Sequence, residues 1–106
     1  MATKKTAKAP QYKLFCNERY GIYAGLEESY DPVTRVAVVR DCRHVARWYG
    51  KTGGITSLAA HGLCGPSAGD SRIGAPTSEP ATLTGIVNVF PCSAEARATL
   101  EAAKLS

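Results

Sequence analysis

The chain has 106 residues, 44% of them hydrophobic, and a formal charge of +4. That sets a single domain with a real but modest core and excludes a disordered chain. No apolar run approaches the ~20 residues of a membrane-spanning helix, and the opening MATKKTAKAP lacks the apolar middle of a secretory signal.

Residues 1–10 read as a basic tail in which Lys4, Lys5 and Lys8 are spaced by small residues. Such an arm either solubilises the protein or lies on an acidic surface, nucleic acid or protein. Pro10 ends it, and residues 11–106 form one domain. Tyr12–Cys16 alternates as a short strand. Tyr20, Ile22, Ala24 and Leu26 then share one face of a second strand, and Gly21 and Gly25 on the other face imply a bulge or a close backbone approach. Asp31-Pro32 predicts a turn, because Pro presets φ and Asp bonds back to the chain. Arg35–Arg40, apolar and β-branched in its middle, predicts a central strand. Val45–Tyr49 alternates again and is expected to pair with it as a hairpin through Asp41–His44.

Gly50–Gly54 must turn. Thr56 or Ser57 is placed to cap a short helix running to about Gly62, which closes it as a glycine past a helix end does. The stretch 62–81 is a long loop with four Gly, three Pro and three Ser, and a structureless loop of that length in a compact domain implies function or a partner. Thr82–Phe90 is the strongest strand signal, and Pro91 stops it. Ser93 caps a last helix, with Glu95 near its positive end, Lys104 near its negative end, and Ala96, Leu100 and Ala103 forming a thin apolar stripe. About five strands, a short middle helix and a C-terminal helix give an α+β fold with a mainly antiparallel sheet.

The segment Arg40–Gly65 gathers three arginines, the single Trp, both His and two of the four Cys. Arg40, Arg43 and Arg47 with Trp48 and Tyr49 make the one candidate ligand-reading patch, since arginines grip phosphates and aromatic faces stack bases. On a strand Arg43 and Arg47 share a face and Trp48 points to the other. That makes Trp48 a core anchor and the arginines a solvated or interfacial edge. Cys42-x-His44 and His61-x-x-Cys64 have the right ligand types for zinc without the spacing of common fingers. A thiol hydrolase would need a histidine and an orienting group beside Cys42 or Cys64, Asp41 being one candidate, yet no thiol-hydrolase motif is present. Lys51-Thr52 precedes Gly53-Gly54, the reverse of a phosphate-loop order. The residues therefore imply neither an enzyme nor a cofactor. Cys16, Cys42, Cys64 and Cys92 lie 26, 22 and 28 residues apart. They read as core filler or as disulfides within or between chains. Cys64, at the start of the long loop, is the candidate for an interchain disulfide, and Cys42 the candidate for a buried free thiol.

W-Y-G-x-x-x-G-I-x-x-L-A-x-H-G within that segment, GIYAGLEESY and VAVVRDCRHVARWYG before it, and TLTGIVNVFPCSAEARATLE after it resemble a family of small uncharacterised proteins of tailed bacteriophages and prophages. The resemblance covers roughly residues 18–102 and keeps the Trp and the first Arg of the basic run. This chain differs in its longer Gly/Pro/Ser insert around Pro66–Pro80 and in Cys42, where the family usually has a small Ala. The resemblance implies a non-enzymatic phage protein, and the basic tail, adaptable loop and surplus Cys fit a virion-associated capsid accessory. It would cement or link capsomers as a homo-oligomer, with Lys4, Lys5, Lys8, Arg40, Arg43 and Arg47 facing the major capsid protein or another virion protein. The alternative is an early protein, in the host cytoplasm during infection, that sequesters a nucleotide immune signal or inhibits a host defence factor. For nucleic acid, three tail lysines give only a shallow electrostatic hold.

Overall fold

The computed structural model describes residues 11–19, 21–48, 54–64 and 71–103, and within these the side chain of Arg47 is not described. The order is β1 (Tyr12–Asn17), β2 (Gly21–Asp31), β3 (Val36–Arg47), α1 (Ile55–His61), β4 (Arg72–Ile73), β5 (Ala81–Leu83), β6 (Ile86–Pro91) and α2 (Ala94–Ala102). The fold is α+β with an antiparallel sheet, as the sequence implies. The sheet runs β4-β3-β2-β1-β6, and β5 pairs with β3. Lys4, Lys5, Lys8, Tyr20, Tyr49 and Lys104 lie outside the described residues.

β1 and β2 follow the alternation of their sequence. Tyr12, Leu14 and Ala24 turn to the face covered by α1 and α2, where they join Val45, Leu58, Ala59, Ile73 and Leu100, with Ile22 and Leu26 packed alongside. Phe15 turns the other way and packs with Ala37, Val39, Cys42 and Ile86. The Asp31-Pro32 turn forms: Asp31 Oδ1 accepts from Val33 N at 2.9 Å, and Asp31 O accepts from Arg35 N at 2.7 Å. β2 runs on to Asp31, past its last residue partner on β1, which pairs with Leu26.

The expected hairpin through Asp41–His44 is not there. β3 passes straight through that segment and pairs with β2 along its length, from Asp31↔Val36 to Ile22↔Val45. Asp41 absorbs the irregularity instead. It takes a left-handed backbone, φ 53, and adds one residue to β3 between the Leu26↔Arg40 and Ala24↔Arg43 pairs. Such a bulge reverses which face the following residues present. Ala37 and Val39 therefore share a face with Cys42, while Arg43 and Val45 are turned to the helices. Gly25 lies opposite the bulge, and a Cβ there would come within 2.5 Å of Val39 Cγ1 and 2.8 Å of Arg40 O.

Three more expectations need correction. Neither Thr56 nor Ser57 caps α1. Gly54 stands at the N-cap with φ 102 and no side-chain bond, because its freedom to take positive φ lets the chain turn in two residues before Thr56. The described part of the long loop is not structureless. β4 pairs with β3, Gly74 N donates to His44 O (2.9 Å), and Thr77 exchanges bonds with Cys42, donating its N to Cys42 O (3.0 Å) and accepting from Cys42 N on Oγ1 (3.2 Å). Finally, the strand expected over 82–90 is broken at Thr84–Gly85, where Gly85 has φ 66. Its first part pairs with β3 and its second with β1. Two residues thus join the two outer edges of the meander, so the sheet must curl to bring them together. Ile86 N donating to Arg35 O (3.1 Å), Glu18 N donating to Gly85 O (3.0 Å) and Asn17 Nδ2 donating to Thr84 O fasten the closure.

At the other end the expectations hold. Gly62, φ 73, closes α1, and Ser93 caps α2 by accepting from Ala96 N at 3.0 Å. Ala96 and Leu100 are buried, and Glu95 lies in the first turn.

Candidate functional site

The bulge in β3 determines the fate of the basic run. It turns Arg43 inward, where only 4% of the residue is exposed. A buried guanidinium is costly unless its five N–H groups are answered. Here they are. Nε donates to Gly74 O (2.6 Å), Nη1 to Leu100 O (2.9 Å) and Glu101 O (3.2 Å), and Nη2 to Ile73 O (3.4 Å) and Ala103 O (3.0 Å). Three of those carbonyls belong to the end of α2, where a helix has unpaired acceptors and the negative end of its dipole. Arg43 is thus a clasp joining β3, the segment after β4 and the end of α2. It is not an exposed partner-binding residue.

Arg40 is half-exposed and paired with Glu28 at 2.8 Å. Trp48 is partly buried and packs against the helix-side cluster, at the margin of the core it was expected to anchor. The described residues therefore do not assemble an arginine-and-aromatic patch: Arg43 has turned in, and its donors are used. Cys42 is buried, and burial pushes its thiol up to about 11; Cys92 is raised to the same value and Cys16 in the same direction by the same cause. Raised thiols are poor nucleophiles at neutral pH. Cys64 is half-buried, and all four thiols are free. Among the described residues no group of three or more His, Cys, Asp or Glu is placed to hold a metal ion.

Two concavities are lined by described residues. One, of about 420 Å³, is an apolar groove between α1, the end of β6 and the start of α2, lined by Thr56, Ala59, Ala60, Phe90, Pro91, Cys92 and Ser93. The other, of about 180 Å³, lies beside the β3 bulge and is lined by Tyr12, Asp41, Arg43, Pro76 and Glu101. Its rim, Asp41, Pro76 and Glu101, is exposed, and its floor, Tyr12 and Arg43, is buried.

The second concavity is the candidate site, because its floor is polar and incomplete. The Tyr12 hydroxyl is buried without a hydrogen-bond partner among the described residues. Burial first, then the charge of Glu101 and the thiol of Cys92, push the phenol far above its ordinary range against the opposing pull of Arg43 and Arg97, so Tyr12 stays neutral. The Arg97 guanidinium lies 5.5 Å from the centre of the Tyr12 ring and also pairs with Glu101 at 3.1 Å. Of the site's five residues, the sequence marks Asp41 and Arg43 through the D-C-R of the family-like motif. Tyr12, Pro76 and Glu101 carry no local signal; the topology alone brings them there.

A family model for a domain of unknown function, DUF6948, matches residues 11–100. Neither a curated protein nor a solved structure matches the chain.

Proposed function

We propose that this chain, which belongs to the DUF6948 family, is a non-enzymatic protein of a tailed bacteriophage. It is a virion-associated accessory that cements or links capsomers as a homo-oligomer. The resemblance of its motifs to small phage proteins supports the source. The observation that carries the binding role is the far end of the β2–β3 hairpin. There Val33 is 88% exposed on a turn fixed by Asp31. A single exposed valine is ordinary on a protein surface, but at the tip of a hairpin held by the hydrogen bonds of Asp31 it gives this reading its one concrete contact point. Cementing a lattice requires such a contact, together with a fold stable enough to present it.

Mass spectrometry of purified particles tests this reading. The protein should be present in stoichiometric amount, and Val33→Asp should fold normally yet be depleted from particles. Abundance in infected cells together with absence from particles would sink it.

A further inference from the structure

We propose that the pocket beside the β3 bulge receives a primary ammonium group, the end of a lysine side chain on a partner protein. Hydrogen-bond valence selects this group. Arg43 has no donor left, because its five N–H groups are spent on five carbonyls. Tyr12 offers a buried hydroxyl with no partner among the described residues. Asp41 and Glu101 add carboxylates at the rim, so the open positions are nearly all acceptors. An ammonium group supplies three donors and no acceptor, which matches two carboxylates and one phenol oxygen.

Charge does not oppose it. Arg97 is paired with Glu101, and the donors of the buried Arg43 are turned onto carbonyls, three of them at the negative end of α2. The carboxylate of Asp41 has no hydrogen bond or ion pair among the described residues. Among the described residues it is also one of two non-glycine residues with positive φ, a conformation that costs energy and is held in place by its surroundings. The volume of about 180 Å³ equals roughly six water molecules at ~30 Å³ each, enough for an ammonium and the end of its stem. The rim is contributed by three separate segments and is exposed, so a side chain can enter while its backbone stays outside. This inference stands apart from the virion reading and fails or holds independently of it.

The test is a titration of the full chain with the tripeptide acetyl-Gly-Lys-Gly-amide, followed by backbone amide chemical shifts. The same peptide acetylated on Nζ is the neutral control. The lysine peptide should give saturable shifts centred on Tyr12, Asp41, Arg43 and Glu101, and the control should not. Asp41→Asn keeps a residue that tolerates the left-handed backbone and removes the charge, so it should weaken binding about tenfold, the loss of one charge-assisted hydrogen bond. Tyr12→Phe should weaken it severalfold, and it keeps the test decisive if Asp41→Asn does not fold. Equal shifts from both peptides, no saturation, or unchanged affinity in a folded variant would overturn the proposal and leave the pocket as a hydrated hollow.

Discussion

The two faces of the curled sheet are stabilised differently. The inner face, Phe15, Ala37, Val39, Cys42 and Ile86, is apolar throughout. The helix-covered face also buries aliphatic side chains, but sets among them a guanidinium and a phenol. The inner face needs only volume and shape, and many apolar sets fill a volume. The outer face needs direction, because five carbonyls must converge on one side chain. The fold is therefore brittle on the helix-covered face: α2 is held in one position by a residue that no aliphatic side chain can imitate.

The largest effect expected from this comparison is at Arg43. Arg43→Met removes five hydrogen bonds, two of them fully buried, and should cost ~3–5 kcal/mol in denaturant unfolding. Arg43→Lys should recover only a small part, since an ammonium has three donors and no planar fork. A cost no greater than that of a conservative swap such as Ile86→Val, ~0.5–1.5 kcal/mol, would erase the distinction between the two faces.

Next comes the bulge that separates them. Gly25→Ala pushes a Cβ into Val39 Cγ1 and the Arg40 carbonyl and should cost ~1–3 kcal/mol, with amide shifts changing from Arg40 to Arg43. A smaller effect tests the inner face through pH. The Cys42 thiol is raised from 9.0 to about 11 in the folded chain, so the unfolded chain loses this proton first. Stability present below pH 9 should therefore drain away as pH climbs towards about 11. Cys42→Ala should flatten part of that decline, and Cys92, raised alike, should account for a further part. The smallest effect is at Tyr12. Tyr12→Phe removes a hydroxyl that has no partner among the described residues and should change stability by less than ~0.5 kcal/mol, or raise it slightly. A loss above ~1 kcal/mol would mean that the hydroxyl is satisfied, by water for instance.

Much of this fold is legible where the local pattern decides the outcome. β1, β2, the Asp31-Pro32 turn, the Gly62 stop and the Ser93 cap follow from alternation, preset dihedrals and capping chemistry. The failures share one cause. The straight passage of β3 depends on Gly25 of another strand making room for the Asp41 bulge. The break at Gly85 depends on two distant edges being in reach. The burial of Arg43 depends on carbonyls between 30 and 60 residues further along the chain. Period-two reasoning assigns an arginine in a strand to one face and gives it solvent; it cannot foresee a one-residue reversal that sends it inward. For the site, the sequence singled out Asp41 and Arg43 by motif but assigned Arg43 the opposite role, and Tyr12 passed as an ordinary strand residue.

The two-residue link at Thr84–Gly85 also bears on how the chain is made. β1 is made before β2 and can pair with it at once, but its other edge stays open until β6 arrives, which pairs Lys13 with Pro91. β3 likewise waits for β4 and then β5. Most of the described strands must be synthesised before either edge of the meander is covered, and such distant pairings form slowly. During that interval a three-stranded sheet with both edges bare is open to pairing with a second nascent copy. The segment that completes the domain is therefore also the one whose delay invites two chains to exchange it.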